Sequence, residues 1–293
     1  MSELSVNHFY TKNTLDNAEI LFRELFYLLP SPFNDSNQLS ILVIGAGTFP
    51  SFIPLIQMIK NISPMVCVLN FNLIDLDANA TTYFKNFINT ANSCLDGITV
   101  NIIINNIDIK DYLINATNEH YELIYFERPD SSVFNFLFTH LNLPSSRFAI
   151  SLLESIPYLR NVTKSNTIIM GSFLNKEDIN HFQRLLKYCL GVKTKKVTYK
   201  TLRERRGFNF GSVGIFNETE LPKKSPEQLV SSIKLARIYF YLFFLSSIIL
   251  FILAPIELKT ISFLFVIAQL FIHHYGIKGI AVRCLLIIGQ MLL

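Results

Sequence analysis

The sequence predicts an α/β fold: a seven-stranded, mostly parallel sheet with helices on both faces, closed by an antiparallel hairpin. Three observations carry that reading. Between residues 39 and 190, short apolar runs alternate five times with stretches of helical apolar spacing. Two strand-like runs, TKKVTYKTL and GFNFGSVGIFN, then follow with no helix between them. Gly45, Asp75, Asp108 and Glu127 all fall where apolar runs end. Alternation of this kind demands parallel strands with right-handed crossovers. Adjacent strands joined by a short turn are antiparallel. In such sheets ligands bind outside the carboxyl ends of the strands.

Each element has its own signal. Residues 15–29, LDNAEILFRELFYLL, carry helical spacing, and Pro30 and Pro32 end that helix. LSILVIGAG is a short apolar run closing in glycine, as in a strand buried on both faces. FPSFIPLIQMIKN reads as a helix with Pro50 in its first turn, where a missing N–H is tolerated. Pro54 bends or delays it. MVCVLNFNLID is the second strand and ANATTYFKNFINTANSCL its helix. ITVNIIINNID is the third strand, with a short helix at DYLINATN. YELIYFE is the fourth strand, and SRFAISLLESIPYLRNVTKS is expected to be a helix. NTIIMGSF is the fifth strand and KEDINHFQRLLKYCL the last helix.

Composition divides the chain. Half of it (50%) is hydrophobic, mean hydropathy is +0.35, and only 16% is charged. The excess lies beyond Leu235; the earlier residues have the balance of a globular chain. The expected organisation is an N-terminal helical cap over 1–38, the α/β domain over 39–217, a linker over 218–234 and hydrophobic membrane-anchoring helices over 235–293. NETELPKKSPEQ marks the linker by its prolines, its charges and its lack of apolar period. Ile238 to Ile256 is a run of 19 residues without a charge. As a helix it is about 28 Å long, close to the hydrocarbon thickness of a bilayer. The next run, ISFLFVIAQLFIHHYG, is a second span or a re-entrant piece. Lys223, Lys224, Lys234 and Arg237 precede the first run, and Lys278 and Arg283 follow the second. A transmembrane hairpin with the N-terminal domain and the C-terminus both cytoplasmic satisfies that distribution. The bilayer is therefore the expected partner of residues 238–293; a buried helical pair in a soluble oligomer is the alternative.

The net charge of +4 is mild, so no nucleic-acid partner is expected. Basic residues do cluster from Lys193 to Arg206. They suit the solvated face of a strand and turn, or attraction to anionic lipid headgroups, and the two are compatible. Four scattered cysteines without a CxxC pair suggest neither a zinc site nor a disulfide framework. The histidines are not spaced for metal, and the polar N-terminus does not read as a signal peptide.

The order strand, GAG, helix, strand, Asp, helix, strand, Asp resembles the class I S-adenosylmethionine-dependent methyltransferases, which have a Rossmann-like fold. The resemblance covers roughly residues 15–220 and includes the closing hairpin. In that family the first strand ends in a D/E-x-G-x-G-x-G turn whose backbone passes the cofactor's methionine end. Gly45 and Gly47 match its first two glycines, with Ala46 between them; Phe49 stands at the third, and Val43 replaces the acid. Glycine permits positive φ and close backbone approach. Phe49 either narrows the site or faces the sheet.

The resemblance further implies that Asp75, with Leu76 beside it, accepts the ribose hydroxyls of the cofactor. A carboxylate suits that task, since charge-assisted bonds contribute roughly 1.5–3 kcal/mol. Asp77 suits an N-cap for the following helix. Asp108 would accept the adenine amino group and Ile109 would pack on the ring; Asp108 also reads as a strand-end turn residue or helix cap. Glu127 and Asp130, at the exit of the fourth strand, would lie on the substrate side. Glu127 could orient or deprotonate a nucleophile, or pair with Arg128 or a loop lysine. The Asn/Asp-Pro-Pro-aromatic signature of amino-group methylation is absent. The spermidine-synthase-like branch also lacks the first-strand acid, and Glu127 and Asp130 would overlay two of its acids; its Gly-Gly-rich first loop is missing here. The implied activity is methyl transfer from S-adenosylmethionine to an unknown acceptor by a membrane-anchored enzyme. A tethered, catalytically inactive interaction protein and an aminopropyltransferase are the alternatives.

Overall fold

The computed structural model describes residues 12–29, 32–33, 36–91, 97–116, 119–127, 154–173, 176–200, 208–220 and 224–231. It also describes Leu235, Leu242, Leu245, Ser246, Ile249 and Ile252. The chain forms two compact units, Met1–Pro226 and Glu227–Leu293.

The first unit is built on strands β1 (Gln38–Ile44), β2 (Val68–Ile74), β3 (Thr99–Asn105), β4 (Tyr121–Phe126), β5 (Thr163–Phe173), β6 (Thr194–Lys200) and β7 (Phe208–Ile215). They form one seven-stranded sheet in the order β3-β2-β1-β4-β5-β7-β6. Strands β1 to β5 run parallel, and β7 is antiparallel to both β5 and β6. All seven strands predicted from the sequence are present. Strand β1 lies between β2 and β4, so the connections leave it in opposite directions. That reversal opens a crevice at the carboxyl end of β1, where the glycine loop begins.

The helices are α1 (Lys12–Tyr27), α2 (Phe52–Ile62), α3 (Ala78–Ala91), α4 (Ile109–Asn115) and α5 (Lys176–Leu190). On α1, Ala18, Leu21, Phe22, Leu25 and Phe26 form an apolar stripe at helical spacing. It shares a core with Leu39, Ile41 and Val43 of β1, Leu69 and Phe71 of β2, and Phe84 of α3. Gly211 of β7 makes the close approach of α1 possible. A Cβ there would stand 2.6 Å from Leu21 Cδ1 and 2.9 Å from Val197 Cγ2. Gly211→Ala is therefore expected to destabilise the protein by about 1–3 kcal/mol through overpacking, read as a lower thermal midpoint.

Two sequence expectations need correction. Helix α2 starts at Phe52, so Pro54 and not Pro50 occupies its first turn. The reason is local: the turn at Ala46–Phe49 and the Phe52 N–H to Phe49 oxygen contact of 3.1 Å use up the residues before it. Of the helix expected over SRFAISLLESIPYLRNVTKS, residues 146–153 lie outside those described. Past two helical residues, 154 and 155, its described part is a short 3-10 helix, Ile156–Val162, with Pro157 near its start. Strand β5 then begins at Thr163, ahead of the expected Asn166, and carries an irregularity opposite β4. Thr167 Oγ1 closes that irregularity by donating to the Tyr121 carbonyl at 2.7 Å and accepting from the Lys164 N–H at 3.0 Å.

A polar seam crosses the β2–β3 edge. Asn101 Nδ2 donates to Asn70 Oδ1 at 2.8 Å, and Asn105 Nδ2 to Asn72 Oδ1 at 2.6 Å. Asn72 Nδ2 donates in turn to the hydroxyls of Tyr112 at 2.7 Å and Tyr121 at 2.8 Å. Both hydroxyls donate to Glu119. Burial first, and Glu119 second, push both tyrosine pKa values up, so the phenols remain donors.

In the second unit, the six described residues from Leu235 onward are helical and exposed. Among the described residues no helix is long and apolar enough to cross a membrane. Apart from those few residues, the runs over 238–256 and 261–276 lie outside the described part of the chain, as do the remaining residues to 293.

Candidate functional site

The loop leaving β1 holds three alternate residues in the left-handed region: Gly45 at φ +70°, Gly47 at +51° and Phe49 at +43°. Phe49 thus shares the left-handed backbone of the two glycines although it is not a glycine. Left-handed φ costs an L-residue on the order of 1–2 kcal/mol. Core packing offsets that cost. Phe49 is 0% exposed, and its ring lies 5.6 Å from the rings of Phe52 and Phe84, and 6.1 Å from that of Phe71. The ring belongs to the core beneath the loop, which answers the question left open by the sequence: it faces the sheet. Val43, two residues before Gly45, is also fully buried.

The end of β2 supports the loop. Gly45 N–H donates to the Ile74 carbonyl at 2.9 Å. Asp75 then clasps the loop directly: its Oδ2 accepts the Gly47 N–H at 2.7 Å, and its Oδ1 accepts the Asp77 N–H at 2.7 Å. A Cβ on Gly47 would be 3.9 Å from Asp75 Oδ2, an ordinary contact, so glycine is required there for its φ and not for space. The Asp75 carboxyl is half-buried, and this burial raises its pKa above the usual value of 3.8 despite the opposing backbone hydrogen bonds. Leu76 is 46% exposed beside it. Asp77 caps α3, accepting the Asn79 N–H at 2.9 Å, as the sequence suggested.

The end of β3 lies next in the row. Asp75 N–H donates to the Asn105 carbonyl at 3.2 Å, and Asn106 Nδ2 donates to the Asp75 carbonyl at 3.2 Å and to Thr81 Oγ1 at 3.1 Å. Asp108 is the N-cap of α4, with Oδ1 accepting the Lys110 N–H at 2.8 Å. Ile109 is buried. The Lys110 ammonium meets Glu154 at 2.8 Å, and that hydrogen bond raises the lysine pKa. On the other side of β1, the Glu127 N–H donates to the Ile44 carbonyl at 3.1 Å, and its side chain is 5% exposed.

Gly45, Ala46, Gly47 and Asp75 are therefore brought into one hydrogen-bonded unit. Asp108 and Glu127 stand at the flanking strand ends, and Asp130 lies outside the described residues. Sequence reasoning missed Asn106 and Glu154. In an asparagine-rich chain nothing marks Asn106, and Glu154 is 44 residues from the lysine it holds.

No protein-family model and no curated protein sequence matches the chain. Among solved structures, the chain is similar to a methyltransferase from Pyrococcus furiosus, at 15% identity over 61% of this chain and 75% of that one, with a TM-score of 0.38. It is similar to a delta-N form of the METTL16 methyltransferase domain at 14% identity, over 71% of this chain and 84% of that one, with a TM-score of 0.41. It is also similar to a SAM-dependent methyltransferase from Agrobacterium tumefaciens at 11% identity, over 69% of this chain and 62% of that one, with a TM-score of 0.44. Likenesses of this order say nothing about ligand or acceptor.

Proposed function

We propose that the first unit binds S-adenosylmethionine and transfers its methyl group to an acceptor at or near a membrane. The observation that carries this reading is the Asp75–Gly47 hydrogen bond, which sets a carboxylate against a left-handed glycine loop at the crevice of the sheet. Gly45, Ala46 and Gly47 would pass the amino-acid end of the cofactor. Asp75 would accept the ribose hydroxyls, with Asp108 and Ile109 at the adenine. When bound, the sulfonium supplies an electrophilic methyl group. The protein then holds the acceptor in line with it, and positioning of that kind contributes much of the rate. Glu127, at the end of β4, would orient or deprotonate the acceptor.

Calorimetric titration of the purified chain with S-adenosylmethionine tests the reading. Absence of both heat and thermal shift at saturating ligand would leave only a non-catalytic scaffold. Val43 favours that second reading, because it leaves a ligand's ammonium without the customary carboxylate. The pH dependence of binding gives a further check. A protonated Asp75 loses acceptor capacity, so affinity should fall as pH drops through its pKa, and this fall should centre above 3.8 because burial raises that pKa. Anchoring by residues 238–293 rests on the charge-free run and its basic flanks. Retention in the membrane pellet after alkaline extraction is the expected result.

A further inference from the structure

We propose that the groove between α5 and β6 is the surface with which the first unit meets an anionic membrane. This deepens the membrane reading above and rests on it. Helix α5 buries Ile179, Phe182, Leu186 and Cys189. Its opposite face turns Arg184 and Lys187, three residues apart, into a groove of about 520 Å3 that Lys193 completes at the foot of β6. All three side chains are exposed. Lys196 of β6 reaches toward the same face, with Nζ 3.4 Å from Asn180 Oδ1. Among the described residues, no carboxylate lines this groove. The sequence showed only the basic run from Lys193; the fold adds Arg184 and Lys187 to it.

A second observation fixes which end of the unit the chain leaves by. The Arg160 guanidinium donates to the Cys189 carbonyl at 2.9 Å and to the Lys224 carbonyl at 2.8 Å. The last stretch of the first unit is thus stapled to the carboxyl end of α5, two residues from Lys187. Lys223, Lys224, Lys234 and Arg237 belong to the stretch that leads to the charge-free run. Lys224 is therefore held at the same end of α5 as the groove. Near an anionic leaflet each such residue raises partitioning on the order of fivefold, and salt screens the effect.

The test uses the full chain reconstituted with vesicles of phosphatidylcholine alone or mixed with phosphatidylserine. An amine-reactive reagent then reports the labelling rate of each lysine by mass spectrometry. Labelling of Lys187 and Lys193 should slow about fivefold on the anionic vesicles, recover in high salt, and leave Lys85 of α3 unchanged. Arg184→Gln combined with Lys187→Gln should remove the protection of Lys193. Equal labelling of the groove on both vesicle types overturns the proposal, as does protection by an RNA duplex with none by anionic vesicles. Flotation with neutral vesicles reports on the anchor separately. A chain that does not float there, yet is protected on anionic vesicles, supports the groove and sinks the anchor.

Discussion

The expected result of Asp75→Ala is loss of S-adenosylmethionine binding together with a looser glycine loop. The carboxylate has two tasks in the proposed complex. One is already visible: it accepts the N–H groups of Gly47 and Asp77, each at 2.7 Å. The other is to accept the ribose hydroxyls, at roughly 1.5–3 kcal/mol for each charge-assisted bond. Losing two such bonds weakens binding by at least about 3 kcal/mol, on the order of a hundredfold or more. The loop amides would also lose their acceptor, at about 1–3 kcal/mol of stability. Calorimetry reads the first effect and thermal melting the second. Asp75→Asn separates them in part, because the amide keeps one acceptor oxygen but turns a donor toward the other N–H. Unchanged affinity in Asp75→Ala would mean that the ribose carboxylate has been misassigned.

Phe49→Ala is expected to be the most destabilising change in the site. The ring is wholly buried among Phe52, Phe71, Phe84 and Tyr125, and truncation of such a ring costs about 3–5 kcal/mol. The comparison with Phe49→Gly is more telling. Both variants lose the ring, but only glycine relieves the left-handed strain, by about 1 kcal/mol. Elsewhere in a chain alanine is usually the more stable of the two; here glycine should be. Chemical denaturation measures the order. Alanine ranking above glycine would show that the turn at position 49 carries no strain worth relieving.

Much of the sheet was legible because parallel strands are buried on both faces. Ile41, Leu42, Val43 and Ile44 are all buried, so β1 reads as an unbroken apolar run. Strand β5 was read late because its first residues are polar: Lys164, Ser165 and Asn166 are exposed around the irregularity, and they resemble a helix tail followed by a turn. The carboxylates at the strand ends could be located by position alone. Which atoms they hold could not, since the Asp75–Gly47 bond spans 28 residues and depends on how β1 and β2 align. Phe49 was the least legible residue. Its type argues against a left-handed turn, and only the depth of the aromatic core beneath it makes that conformation tolerable.

The asparagine rungs across β2 and β3 have a consequence for how the edge of the sheet assembles. Sliding β3 by one residue would carry Asn101 and Asn105 to the side that holds Phe71 and Phe84, while Ile102 and Ile104 would face Asn70 and Asn72. Amides would then be stranded in hydrocarbon and the Glu119 cluster would lose a rung, so a misaligned edge strand is penalised twice. The seam acts as a ruler for pairing: it adds little cohesion of its own, but it makes alternative alignments costly enough for the strand that positions Asp108 to settle in one place.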